Sequence, residues 1–155
     1  VTVRANLSFV DDSRDFTMRR RAAFLLPALC ALLSSCETTT SVEDTRSALQ
    51  GAWALEAFEL ASGQTVRVSD PSSYTLEFRG DEVGLRVDCN SCGGGYEISG
   101  NELRLGNLAC TLAFCADGSF DGQYMEAISS VSTFSLSGDE LRVRYAQGVM
   151  RFRRS

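Results

Sequence analysis

Four cysteines gather between residues 89 and 115, in the stretch CNSCGGGYEISGNELRLGNLACTLAFC. Read as CxxC, an interval of 17 residues and CxxxxC, their spacing admits three chemistries. Thiolates so placed can hold zinc in a ribbon, although the second knuckle is wider than the usual CxxC. Cys89 and Cys92 could instead exchange disulfides, which needs a helix N-terminus in a βαβ setting to stabilise the thiolate. In an oxidising compartment the same four sulfurs close two structural bridges, and four cysteines allow three pairings. The neighbours of Cys89 and Cys92 disfavour exchange. A strand-like run precedes the first, three glycines and another strand-like run follow the second, and no helix is at hand.

Other chemistry is excluded by composition. The chain has no histidine, which removes Ser/His/Asp and Cys/His nucleophiles, imidazole shuttles and every zinc site with a His ligand. No motif brings acids together as a catalytic pair, so the expectation is a non-enzyme with no cofactor and no metal. All 15 basic residues are Arg. From Cys36 onward 10 of them face 17 acids, a net charge of −7. Such a surface repels phosphate backbones and anionic lipid, and no nucleic-acid partner is expected.

Whether the cysteines are oxidised depends on the compartment, and the start of the chain addresses that. Residues 1–17 are mixed and without periodicity, and are expected to be a non-native extension, with translation starting at Met18. Arg19, Arg20 and Arg21 then precede AAFLLPALCALL, a positive n-region followed by an h-region too short to span a bilayer as a mature helix. Leu33-Ser34-Ser35-Cys36 resembles the lipobox of bacterial lipoproteins, in which cleavage precedes a cysteine that carries diacylglycerol. Cys30 competes poorly, because Pro27 would take the Leu position. Residues 18–35 are thus expected to be a lipoprotein signal and Cys36 the lipidation site. Acyl chains contribute about 0.8 kcal/mol per buried methylene, enough for two or three chains to anchor a soluble domain. Residues 36–46, polar and Thr-rich, read as a tether. Glu37 after the cysteine is compatible with the outer membrane, facing the periplasm. Export favours disulfides over zinc for the four remaining cysteines.

The globular part, 47–155, reads as one domain. Hydrophobic residues at 44% and charged residues at 23% suit a folded chain. Trp53, Leu55 and Ala57 alternate, and Phe58 and Leu60 break the alternation as a bulge does. Tyr74, Leu76 and Phe78, then Val83, Leu85 and Val87, alternate across Gly80-Asp81. YEISGNELRL (96–105) and FSLSGDELRV (134–143) echo each other, with Gly before Asn or Asp at the turn. Phe120, Tyr124, Ala127, Ile128 and Val131 recur at helical spacing, with Ser119 as a cap and Asp121 in the first turn. Met150 and Phe152 alternate with Arg151 and Arg153 in a last strand. The expected fold is mainly β (α+β): an antiparallel β-meander, as a curved sheet or small open barrel, with one amphipathic helix near 120–131.

With these residues in hand, Gly51 to Phe152 resembles the META domain of HslJ-like bacterial lipoproteins. The resemblance rests on Trp53, the strand YTLEF, Cys89-Asn90, the Gly-x-Tyr of Gly94-Gly95-Tyr96, and Thr111 followed four residues later by Cys115. Ala113 departs from the family, which often has Met there, and the second cysteine pair is an addition. The resemblance implies a mainly β domain with one helix, a setting of envelope, heat or antibiotic stress, and no defined enzymatic activity. It also implies the pairing of Cys89 with Cys115, which leaves Cys92 with Cys110. A bridge closing a loop of that length contributes about 3–4 kcal/mol on the loop-entropy argument, and Gly93, Gly94 and Gly95 would give freedom for a tight fold-back beside it. The function expected is a membrane-anchored, non-catalytic, stress-related binding or structural role with an envelope protein as partner. The alternatives are thiol exchange through Cys89 and Cys92, or inhibition of an envelope hydrolase through the acids of Glu97 to Glu102.

Overall fold

The computed structural model describes residues 41–155. The expected signal, Cys36 and the first part of the tether lie outside the described residues. Ten strands form: β1 (Gly51–Leu60), β2 (Thr65–Arg67), β3 (Tyr74–Arg79), β4 (Glu82–Val87), β5 (Asn90–Ser99), β6 (Glu102–Leu105), β7 (Ala109–Cys110), β8 (Thr133–Ser137), β9 (Glu140–Tyr145) and β10 (Gly148–Arg154). Two helices accompany them, α1 (Val42–Leu49) and α2 (Asp121–Ser129).

Alternation creates the strands and glycine turns them. Gly80, Gly100 and Gly138 sit at φ +58°, +60° and +57°, each followed by Asp or Asn at negative φ, so a left-handed first position lets β3–β4, β5–β6 and β8–β9 reverse in two residues. The strands run antiparallel in the order β10-β9-β8-β6-β5-β4-β3-β1, and β1 pairs back onto β10 to close an eight-stranded barrel. Closure removes the sheet edges that the expected open form would have exposed. One register shift, at Glu56 between Leu55 and Ala57, lets β1 bend through the closure and buries both Ala57 and Phe58.

Inward side chains fill the barrel. Trp53, Leu55, Phe58, Leu76, Leu103, Leu141 and Phe152 are all fully buried. α1 packs by the β3–β4 turn at one end. The indole of Trp53 donates to the Leu49 carbonyl at 2.8 Å, and Arg46 pairs with Asp81 at 2.8 Å. Arg154 stacks over the Trp53 ring at 4.0 Å and donates to the carbonyls of Ala48 and Gln50, satisfying acceptors that the helix end leaves free. α2 closes the other end. Tyr124 is buried edge-on to Tyr74, and its hydroxyl donates to the Thr75 carbonyl at 3.0 Å.

Three expectations change. α1 occupies residues expected to be tether, because Ser41 and Asp44 form a reciprocal capping box and Leu49 is buried. The described residues therefore hold two α-helices rather than one, and α2 ends at Ser129, short of Val131. The Gly93–Gly95 triplet is not a fold-back but lies within β5. Gly94 is required by close approach: a Cβ there would stand 2.6 Å from the Asn107 carbonyl oxygen.

Candidate functional site

The cysteines meet where β4, β5, β7 and α2 converge. Val87 ends β4, Asp88 takes φ +55°, and the chain turns back as β5. Cys89, in that turn, is bonded to Cys115 with Cα atoms 5.5 Å apart. Cys92 is bonded to Cys110, its direct partner across β5 and β7, at 4.1 Å. Cys89 and Cys92 therefore belong to different bridges and do not form the internal dithiol pair that thiol exchange through CxxC uses. Among the described residues no three Cys, Asp or Glu side chains gather as a metal would require.

Between the bridges runs the loop Thr111-Leu112-Ala113-Phe114. Asn90 clasps it from three directions. Its Oδ1 accepts from the Ala113 amide at 2.7 Å and the Thr111 hydroxyl at 3.0 Å, and its Nδ2 donates to the Ala113 carbonyl at 2.9 Å. Thr111 in turn donates its amide to the Ser91 carbonyl and accepts from the Ser91 amide, each at 3.0 Å. The Cys-Asn and Thr-x3-Cys elements are thus one clasp that ties a loop to the start of β5.

The clasp holds the Thr111 hydroxyl and the Ala113 backbone against the start of β5, while all four loop residues stay exposed. Leu112 is 93% exposed and Phe114 fully so, and among the described residues the other exposed large hydrophobic is Val42, at 49%. Leaving a Leu or Phe in water forgoes about 1.5–3 kcal/mol of burial, and a loop held at both ends by sulfur cannot fold these side chains inward. Beside them lies a groove of about 510 Å³, floored by Val87 and the Cys92–Cys110 bridge and walled by Asp121, Gly122 and Met125 of α2. Ser119 and Tyr74 fix that wall: the Ser119 hydroxyl accepts from the Asp121 amide at 3.1 Å and the Tyr74 hydroxyl from the Phe120 amide at 2.8 Å. The cap at Ser119 thus acts one residue before Phe120, the residue at the N-cap position.

The ionisable groups with displaced pKa values lie elsewhere. Burial pushes the Tyr124 and Tyr145 hydroxyls up, and the hydrogen bond from Arg142 holds Glu59 below the usual carboxylate range. Glu97 and Glu102 sit on the β5–β6 hairpin, where Glu102 pairs with Arg104 at 3.4 Å. The sequence reading singled out the cysteines but missed Leu112, Phe114 and Met125. The available signal was two large apolar residues placed alternately in CTLAFC, between cysteines.

The described residues thus form a closed, filled antiparallel barrel with a helix across its cysteine-bearing end. Residues 47–155 match the META domain, and the chain belongs to that family. Solved structures share the fold. A protein from Burkholderia xenovorans is similar at 21% identity and a TM-score of 0.59, over 72% of this chain and 86% of its own. A lipocalin-like protein from Bacteroides uniformis is similar at 20% identity and a TM-score of 0.50, over 69% of this chain and 98% of its own. Comparison with curated proteins gave no match.

Proposed function

We propose that this chain is a bacterial envelope lipoprotein, acylated at Cys36 and held at the outer membrane facing the periplasm, whose META barrel binds an envelope protein. The observation that supports binding is the rigid display of Leu112 and Phe114 beside an apolar groove. A loop backbone already held in place loses little further freedom on contact, which is how preorganised anchors gain affinity. The lipocalin-like likeness fits a binding role, although here the barrel interior is filled and the contact is assigned to the outside, at the stapled loop. The role in envelope stress enters as the condition under which that contact is made.

Two measurements test the two halves. Radiolabelled palmitate is incorporated by the wild type and not by Cys36→Ser, which leaves the membrane fraction. A photo-crosslinking residue at position 112 or 114 gives a discrete adduct to an envelope protein in cells, whereas one at Arg67 on β2 gives none. Equal adducts at all three positions overturn the assigned surface. With the crosslinking residue at position 112, Phe114→Ser weakens the adduct, and Leu112→Ser with Phe114→Ser changes stability by less than about 0.5 kcal/mol, because neither side chain is packed.

A further inference from the structure

β7 pairs with β5 along one edge, and among the described residues no strand pairs with its other edge. Cys110 of β7 and Asp121, Gly122 and Met125 of α2 line the groove of about 510 Å³ at the stapled loop, and a second groove of about 500 Å³ beside Arg104 to Leu108 shares Met125 with it, so the two adjoin as a trough between α2 and the β6–β7 segment. Met125 reaches Cys92, sulfur to sulfur at 3.9 Å, and an unbranched thioether is readily moved.

We infer that this trough receives an extended, apolar and basic segment of the partner polypeptide, added as a strand beside β7. The inference rests on the reading of the stapled loop as a binding surface and names the chemistry that surface selects. Three observations converge on it. A free edge offers main-chain groups, and strand addition uses them for affinity while alternate side chains enter pockets for specificity. Leu112 and Phe114 stand at alternate positions past the end of β7, continuing the period of an added strand. Among the described residues Asp121 is the one charged residue lining the groove at the loop, while Arg104 lines the second groove, so the trough favours a cation at its loop end. A Lys or Arg beside the apolar anchors meets that carboxylate, whereas an acidic segment or an anionic lipid surface meets repulsion.

The test uses the full-length, oxidised protein and two blocked nonapeptides of alternating Val and Thr, one with a single terminal Arg and one with Glu at that position. Backbone and methyl NMR shifts report binding. The Arg peptide is expected to perturb the amides of 109–112 and the Met125 methyl, and to bind at least tenfold more tightly than the Glu peptide. Asp121→Asn, which keeps the helix start intact, reduces that ratio. Equal binding of both peptides, or shifts confined to another face, overturns the inference. Zwitterionic and anionic vesicles form the second arm. If vesicles and not peptides perturb Leu112 and Phe114, the binding surface stands and the strand-addition class falls. If neither probe perturbs residues 109–114, the surface itself falls.

Discussion

The wall made by β9, β10 and β1 and the patch made by β5, β7 and α2 are held by different forces. On the wall every strand is paired on both edges, and the outward face carries a lattice of ions: Arg142 with Glu59 and Glu140, Arg151 with Glu56 and Glu59, and Arg153 with Glu56. On the patch the ladder shrinks to two residue pairs, and two disulfides with one clasping Asn replace it. A surface that leaves an edge and two apolar side chains open is not stabilised by covering them. Covalent bridges supply that stability without closing the face, and the ion lattice suits a wall with nothing to keep open.

The largest expected effect follows from that difference. Replacing Cys89 and Cys115 together by Ala releases a long loop and is expected to cost about 3 kcal/mol, on the order of a 10–20 °C fall in Tm for a domain of this size, read by calorimetry. Salt leaves this loss unchanged, because chain entropy is not screened. If the variant melts with the wild type, the bridge does not carry the patch and the contrast with the wall fails.

Next in size is the clasp. Asn90→Ala strips partners from the Ala113 amide and carbonyl and the Thr111 hydroxyl, groups near the surface that water partly re-satisfies. A loss of about 1–2 kcal/mol is expected in urea unfolding. Hydrogen exchange sharpens the point: the amides of Ala113 and Thr111 exchange faster than in the wild type, while those of β9 and β10 slow or quicken only with global stability. Uniform acceleration across the barrel would show that the loop has no separate restraint.

Much of this architecture was legible because it is local. YTLEF and EVGLRV alternate, Gly-Asp and Gly-Asn mark the reversals, and Tyr124, Ala127 and Ile128 keep a helical period, so β3, β4 and α2 follow from neighbours in sequence. The remainder depends on distant partners. Nothing within GAWALEAFEL or VMRFRR announces that β1 and β10 pair, and that pairing turns an open sheet into a barrel. Gly94 reads as flexibility until the Asn107 carbonyl is placed against it. Residues 43–46 are charged and polar, and only the Ser41/Asp44 box and the buried Leu49 separate a helix from a tether. At the candidate site, CTLAFC has the alternation of a half-buried strand. The exposure of Leu112 and Phe114 appears only once Asn90 is seen to hold Thr111 and Ala113.

The smallest expected effect belongs to the wall and has the opposite dependence on conditions. Arg142 Nη1 stands 3.3 Å from Glu59 Oε1, its Nη2 donates to the other carboxylate oxygen, and the carboxyl is held below its ordinary value of 4.5. A lowered folded-state pKa means that the unfolded chain binds the proton more readily. The stability this group contributes is therefore fully present above about pH 4.5 and is lost as pH falls through the folded value. Both side chains are roughly a third exposed, so solvent screening keeps the pair near 0.5 kcal/mol. Glu59→Gln is expected to be less stable than the wild type by about that amount at pH 7 and low salt, with the gap narrowing as pH falls below 4.5 and also in 1 M NaCl. Urea midpoints across acid and neutral pH measure it. A gap that does not narrow on acidification or in high salt would mean that Glu59 acts through packing over β10 rather than through charge, and the wall would then resemble the patch in its independence of ions.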